Sequence, residues 1–195
     1  MVTNVLLTGV GGQGIVTAST VLAQACRIAG WQVKKSEVHG MSQRGGSVTS
    51  HVRCSPDGPV ASPLIPEGAV GILVAYEPLE GLRQIGETAA DAHVLVEERR
   101  IVPVTVNLPG FRYPDDVLGR LRASGRRVRV VPAMATATAL GEPRAANTVM
   151  LGALATLLEL PHAAWDEALR AVLRPNTLET NLRAFELGRG MMAEA

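Results

Sequence analysis

The chain has 195 residues, with 19 basic and 18 acidic side chains and a formal net charge of +1. This balance is not that of a nucleic-acid-binding protein, and no apolar run approaches the roughly 20 residues that a membrane-spanning helix needs. The length predicts a single domain over residues 1–195. Because the N-terminus leads straight into a predicted strand, without a signal-type leader, we expect a cytoplasmic protein.

Hydrophobic periodicity predicts an alternation of strands and helices along the chain. Seven strands are predicted, over residues 5–7, 31–38, 47–53, 70–75, 93–97, 102–106 and 128–131. Six helices are predicted, over residues 15–29, 78–90, 114–124, 144–160, 163–173 and 178–187. This order indicates an α/β fold: a doubly wound, mostly parallel, Rossmann-like sheet with a helical C-terminal segment.

The two cysteines, Cys26 and Cys54, limit the metal chemistry of the chain. An iron–sulfur cluster usually takes four thiolates and a structural zinc ion takes four ligands, yet the sequence has no C-x-x-C pair and no His pair at ligand spacing. We therefore expect no metal site on this chain. We also expect two buried, reduced thiols rather than a disulfide.

A glycine-rich turn joins the first predicted strand to the first predicted helix. Residues 9–14 read Gly-Val-Gly-Gly-Gln-Gly and satisfy the pattern G-x-G-x-x-G in that context. Without side chains the backbone can turn tightly and approach a ligand, while N–H groups and the positive end of the helix face an anion. Gly11, Gly12, Gln13 and Gly14 are therefore candidate ligands of a phosphate or pyrophosphate.

Three interpretations of this turn stay open. It could bind NAD(P) or FAD, it could be a tight turn without a ligand, or it could form a phosphate-binding or shared site. A dinucleotide site normally has a carboxylate at the end of the second strand. Here that residue would be Glu37, which follows two lysines in a weakly apolar strand. We favour the phosphate-binding or shared site.

A second segment, residues 37–47, reads Glu-Val-His-Gly-Met-Ser-Gln-Arg-Gly-Gly-Ser. Loops at the carboxyl ends of strands are where open α/β sheets bind ligands. Arg44 could bind a phosphate or carboxylate through its planar guanidinium, with Gly45 and Gly46 allowing close approach. His39 and Gln43 are weaker candidates. The alternative is that Arg44 forms a structural salt bridge and His39 caps a strand end. We assign no catalytic residue, because nothing places a base near a substrate.

Taken together, the motifs at 9–14 and 37–46 resemble the gamma-type domain of 2-oxoacid:ferredoxin oxidoreductases, most closely the small subunits of the indolepyruvate-oxidising enzymes. The resemblance extends over nearly the whole chain. Further matching segments are Glu77 to Arg83, Tyr113-Pro114, Asn147 to Ala153, Asn181, Ala184-Phe185 and Gly188. The chain departs from the family pattern at Tyr76, where an aliphatic residue is commoner, and at Gly81, where alanine is commoner.

The resemblance implies that the chain is a subunit of an oxidoreductase and is not catalytic alone. In that family the large alpha subunit holds thiamine diphosphate, Mg and 4Fe-4S clusters. The complex decarboxylates an arylpyruvate oxidatively, transfers the acyl group to coenzyme A and passes electrons to ferredoxin. The resemblance implies that the two glycine-rich segments complete the active site and the coenzyme A pocket. Binding of NAD(P) by a stand-alone reductase and a non-catalytic binding module stay as alternatives.

Overall fold

The structure is a computed structural model that describes residues 1–39, 46–102 and 112–193, without the side chains of His39 and Ala193. The strands are β1 (Thr3–Val10), β2 (Gln32–His39), β3 (Ser47–Ser55), β4 (Val70–Ala75), β5 (Thr88–Glu97) and β6 (Arg127–Val131). The helices are α1 (Ile15–Ile28), α2 (Pro78–Arg83), α3 (Val117–Arg122), α4 (Ala133–Ala139), α5 (Ala146–Ala155), α6 (His162–Val172) and α7 (Pro175–Ala193).

The described strands form one mixed sheet in the order β2-β3-β1-β4-β5-β6. The pairs β1–β4, β4–β5 and β5–β6 are parallel. The pairs β1–β3 and β2–β3 are antiparallel. The predicted α/β fold with a mostly parallel sheet is therefore confirmed, with an antiparallel hairpin added beside β1.

Helices cover both faces of the sheet, and the central strands carry apolar side chains on both faces for that reason. The larger core lies between one face and helices α1, α4, α5, α6 and α7, where Leu7, Leu22, Val74 and Leu154 are completely buried. On the opposite face, Leu73 and Val94 pack near Ile65. Helices α2 and α3 pack beside them over Ala75 and Val96. The predicted helical C-terminal segment is thus the main cover of one face.

The predicted helix over residues 78–90 is wrong at its C-terminal end. Helix α2 stops at Arg83, a short 3-10 turn follows, and β5 begins at Thr88. The hydroxyl of Thr88 donates a hydrogen bond to the carbonyl of Ile85 (2.6 Å) and accepts one from Nε of Arg126 (3.0 Å). These two hydrogen bonds hold Thr88 in the sheet. The helical periodicity of the sequence gives no sign of them. Most of the predicted strand over 102–106 lies outside the described residues.

Both cysteines are buried and neither is in a disulfide, as expected. Among the described residues, no group of three or more His, Cys, Asp or Glu side chains is arranged to hold a metal ion. No helix in the described part of the chain is both long enough and apolar enough to cross a membrane.

Candidate functional site

The glycine-rich turn connects β1 to α1 through two residues with left-handed backbone. Gly12 has a φ of 102° and Gly14, the N-cap of α1, has a φ of 78°. Both values are readily adopted only by glycine. The N–H groups of Gly12 and Gly14 form no hydrogen bond within the described residues. They remain as donors beside the positive end of a 14-residue helix, an arrangement that suits an anion.

Other donors of the turn are used inside the protein. The side-chain oxygen of Gln13 accepts a hydrogen bond from the N–H of Val10 (2.7 Å), and its Nε2 donates to the carbonyl of Tyr76 (2.6 Å). Gly11 donates its N–H to the carbonyl of Gly46 (2.9 Å). The sequence predicts that Gln13 and Gly11 face a ligand. In the structure, the hydrogen bonds of Gln13 and of the Gly11 N–H hold the turn in shape. Gln13 ties the end of β1 to the end of β4.

The second predicted segment starts and ends at the same edge of the sheet as the turn. His39 is the last residue of β2 and pairs with Val48, and Ser47 pairs with Val10 at the end of β1. The hydrogen bond from Gly11 brings Gly46 directly against the glycine-rich turn. Gln43, Arg44 and Gly45 lie outside the described residues, as does the side chain of His39, so their roles stay predictions.

A cleft of about 740 Å³ lies at the carboxyl ends of β1, β4 and β5. The glycine-rich turn forms one wall, and the N-terminal residues of α5 and α7 form others. Its charged lining residues are Glu97, Arg99, Glu142, Arg144 and Arg174. The dipoles of α1, α5 and α7 all direct their positive ends toward this space, which makes it attractive to a negatively charged group.

The charges in the cleft are only partly balanced by the protein. Arg144 pairs with Glu142, with Nε 2.9 Å from the carboxylate oxygen. This pair holds the pKa of Glu142 below its usual value. Arg99 and Arg174 have no carboxylate partner among the described residues. Two guanidinium groups therefore remain for an anion that enters the cleft.

Glu97, at the end of β5, is 4% exposed and lies in the floor of the cleft. Its carboxylate accepts hydrogen bonds from the backbone N–H groups of Met134 (2.7 Å) and Arg99 (3.2 Å). Burial raises the pKa of Glu97, and these bonds oppose that rise. The carboxylate thus caps α4 and fixes the backbone that carries Arg99. Sequence reasoning missed both residues, although a carboxylate ending an apolar strand was a usable signal.

Two buried carboxylates, one just before α2 and one in its first turn, fix the segments that border the cleft. Glu77 accepts hydrogen bonds from the Tyr113 hydroxyl (2.6 Å) and from the N–H of Ile101 (3.3 Å), which lines the cleft. Glu80 accepts one from the Ser47 hydroxyl (2.6 Å) and also pairs with Arg83. The matching segment that begins at Glu77 therefore has a structural role close behind the site.

The strand order and the position of Glu37 argue against a Rossmann-type site for NAD(P) or FAD. In such folds the second strand lies parallel to and beside the first, so that its terminal carboxylate reaches the ribose. Here the neighbour of β1 on that side is the antiparallel β3, and β2 is one strand further away. Glu37 is paired with Lys35 at 2.6 Å. The carboxylate that this interpretation requires is therefore in the wrong place and already neutralised.

Comparison with known proteins agrees with the motifs. Over residues 4–191 the chain matches the pyruvate ferredoxin/flavodoxin oxidoreductase family. It is 38% identical to the indolepyruvate oxidoreductase subunit IorB of Archaeoglobus fulgidus over 189 residues, covering 95% of this chain and 92% of that protein. It is 37% identical to the subunit of the same name from Thermococcus kodakarensis over 192 residues, covering 95% of this chain and 93% of that protein.

Solved structures share the fold. The gamma subunit of a keto/oxoacid ferredoxin oxidoreductase from Geobacter sulfurreducens superposes with a TM-score of 0.74 at 21% identity, covering 99% of both chains. A 2-oxoglutarate:ferredoxin oxidoreductase from Magnetococcus marinus gives 0.77 at 21% identity, covering all of this chain and 31% of that one. The resemblance stated from the motifs is thus confirmed, and the chain belongs to the pyruvate ferredoxin/flavodoxin oxidoreductase family.

Proposed function

We propose that this chain is the small subunit of a 2-oxoacid:ferredoxin oxidoreductase that oxidises indolepyruvate or a related arylpyruvate. On this proposal a large subunit holds thiamine diphosphate, Mg and the 4Fe-4S clusters, and ferredoxin receives the electrons through the complex. Four IorB subunits of 34% to 38% identity, each matched over more than nine-tenths of its length, support this choice of substrate class.

The observation that carries the proposal for this chain is the cleft at the carboxyl edge of the sheet. It combines unbonded N–H groups on Gly12 and Gly14 with two guanidinium groups that lack carboxylate partners in the described part of the chain. Donors of this kind fit phosphate groups. Coenzyme A carries phosphates and would supply the thiol that takes up the acyl group. We therefore propose that the cleft binds the phosphate-bearing part of coenzyme A.

The chain's own residues would bind and orient the coenzyme rather than transfer protons. Gly12 and Gly14 would donate to the phosphates from the turn, and Arg174 would add charge from the start of α7. Gly11 and Gln13 would hold the turn in shape through their internal bonds. Arg44, Gly45 and Gly46 are proposed to close the same rim, with His39 and Gln43 beside them, facing coenzyme A or the large subunit.

Co-expression with the large subunit tests the function. We expect indolepyruvate-dependent reduction of ferredoxin or methyl viologen, with formation of an acyl-CoA, only when both chains are present. Full activity of the large subunit alone would contradict the proposal. The control for substrate class is 2-oxoglutarate, which we expect to be a poor substrate of the same complex.

A titration of the isolated chain with NADH tests the competing reductase. Because Glu37 is paired with Lys35 and lies away from the glycine-rich turn, we expect no tight binding. Tight NADH binding with hydride transfer to any acceptor would replace our proposal with that of a stand-alone reductase.

In the complex, Arg44→Ala should weaken coenzyme A binding or assembly by about 1–3 kcal/mol, the value of a charge-assisted hydrogen bond.

A further inference from the structure

A second charged surface lies at the outer edge of the sheet, away from the cleft. Residues 117–131, from the start of α3 to the end of β6, contain five arginines and no Asp or Glu. The whole chain has a formal net charge of only +1, so its other residues together are net acidic. The excess of basic charge is therefore concentrated in one helix–turn–strand unit.

Two of these arginines are used inside the protein. Arg126 donates a hydrogen bond to the hydroxyl of Thr88 (3.0 Å), and Arg129 donates one to the carbonyl of Met192 (3.5 Å). The other three are exposed and form no ion pair with a carboxylate in the described part of the chain. We call these three the arginine patch: Arg120, Arg122 and Arg127.

The surroundings of the arginine patch do not cancel its charge. The guanidinium of Arg127 lies 3.4 Å from Nε2 of His93. Burial lowers the pKa of His93, and the charges of Arg127 and Arg129 lower it further, against the carboxylate of Asp91. On α6, by contrast, Arg170 is 2.8 Å from the carboxylate of Asp166, and that pair is neutral as a whole.

The arginine patch is separate from the cleft. Strand β6 is the last strand in the order of the described sheet, and Arg127 is its first residue. Arg127 pairs with His93, four residues before Glu97 in the floor of the cleft, which is about 13 Å along the strand. None of the three patch residues lines the cleft. A ligand in the cleft and a partner on the patch can therefore be bound at the same time.

The patch has the character of a transient docking surface. Permanent subunit interfaces have an apolar centre that is poor in charge. Among the described residues, no large apolar side chain between positions 112 and 131 is exposed. Charge without an apolar centre suits a partner that is guided in by electrostatic attraction and leaves again. Protection of an edge strand against aggregation would account for Arg127, but not for Arg120 and Arg122, which lie on a helix.

We propose that the arginine patch is the surface on which an acidic electron-carrier protein docks. This inference rests on the proposed function, in which ferredoxin is the one protein that must bind and leave in every turnover. Ferredoxins are small and acidic, so their charge is complementary to the patch. On this proposal the chain supplies the docking charge, while the electrons come from the clusters of the large subunit.

The test measures indolepyruvate-dependent reduction of an acidic ferredoxin and, in parallel, of methyl viologen by the two-subunit complex. The variant carries Arg120→Glu, Arg122→Glu and Arg127→Glu together. We expect its KM for ferredoxin to rise about tenfold or more, with the methyl viologen rate unchanged. Arg27→Glu is the matched control, because Arg27 is an exposed arginine on α1 without a carboxylate partner among the described residues, and it should keep the wild-type KM.

Ionic strength gives a second readout. For the wild type, kcat/KM for ferredoxin should fall between about 0.01 and 0.1 M ionic strength, where the screening length drops from about 30 to about 10 Å. The triple variant should lose this dependence. Replacement of the same three arginines by glutamine should give an intermediate KM, and it replaces the glutamate variant if thermal melting shows that the latter is unfolded.

Several results would overturn the inference. They are an unchanged KM for ferredoxin in the triple variant, an equal loss of rate with both acceptors, and dissociation of the folded variant chain from the large subunit on gel filtration. The last result would make the patch a subunit interface. A wild-type complex that reduces methyl viologen but not ferredoxin would refute the docking partner alone, whereas one that reduces neither would refute the proposed function itself.

Discussion

Asn147, at the start of α5, donates a hydrogen bond from Nδ2 to the carbonyl of Gly14, 133 positions earlier in the chain (3.3 Å). Two of the three helix N-termini that border the cleft, those of α1 and α5, are thus joined directly. A Cβ atom on Gly14 would stand 2.5 Å from the same Nδ2 atom, so the contact leaves no room for a side chain at position 14.

We expect Gly14→Ala to destabilise the protein by about 2–3 kcal/mol. The left-handed φ of 78° costs about 1–2 kcal/mol for alanine, and the displacement of Asn147 adds to this cost. Gly30→Ala is the matched control, because Gly30 has a φ of 80° and open space around its Cβ position. Urea unfolding should show Gly14→Ala to be the more harmful of the two; equal losses would mean that the Asn147 contact has no energetic role.

Close packing of α5 against α7 depends on two further glycines. A Cβ on Gly152 would overlap the carbonyl oxygen of Phe185, and a Cβ on Gly188 would overlap that of Val149. Because backbone atoms cannot move aside as a flexible side chain can, we expect either alanine substitution to cost at least about 3 kcal/mol. Gly190→Ala, on an exposed position of α7 with open space around it, should instead stabilise by up to about 1 kcal/mol. Thermal unfolding of the three variants is the measurement.

The buried Glu77 carboxylate should be energetically coupled to Tyr113. Tyr113→Phe removes the 2.6 Å hydrogen bond and should cost about 1–2 kcal/mol. Burial and the nearby Glu77 carboxylate raise the pKa of Tyr113, so the phenol stays a donor at neutral pH. In a Glu77→Gln background the loss of the Tyr113 hydroxyl should matter less, because its partner no longer carries charge. Additive effects in this double-mutant cycle would contradict direct coupling.

Protonation of His51 should lower the free energy of unfolding as the pH falls. Burial lowers the pKa of His51 below the ordinary histidine value of about 6.5, and its Nδ1 accepts a hydrogen bond from the N–H of Ile65 (3.3 Å). The unfolded chain takes up the proton more readily, so this stability is present above about pH 6.5 and is lost as the pH falls from there toward the folded pKa.

The measurement is urea unfolding at several pH values between about 7 and 5. His51→Gln should show a shallower loss of stability than the wild type. Burial and nearby arginines also lower the pKa of His93, so His93→Gln is the matched control and should retain the His51 contribution. An unchanged pH dependence in His51→Gln would exclude this residue as a source.

The fold could be predicted well because most elements depend on local signals. The apolar runs at Val5–Leu7 and at 70–75 predict two central strands of the sheet, and the four glycines within residues 9–14 predict the turn that follows the first of them. The direction of β2 and β3 could not be predicted, because parallel and antiparallel pairing differ in long-range contacts and not in periodicity. The strand at Thr88 could not be predicted either, because the Thr88 hydroxyl is held by Arg126, 38 positions further along the chain.

The site could be predicted only in part. Glycines at the turn are recognisable because their backbone geometry forbids other residues, but the internal use of Gln13 depends on Tyr76, 63 positions away. Arg99 and Arg174 carry no local signal beyond their charge. They reach the cleft because the chain places the end of β5 and the start of α7 beside the turn. Such convergence is a property of the assembled sheet and helices.

The antiparallel hairpin beside β1 has a consequence for protein engineering. A redesign of this scaffold as a nicotinamide-dependent dehydrogenase would need more than new side chains at the turn, because the antiparallel β3 stands where a dinucleotide-binding fold has the parallel strand whose terminal carboxylate binds the adenosine ribose. Replacing a few residues leaves the direction of that strand unchanged. The glycine fingerprint alone is therefore a poor guide when scaffolds for altered coenzyme use are selected from sequence collections.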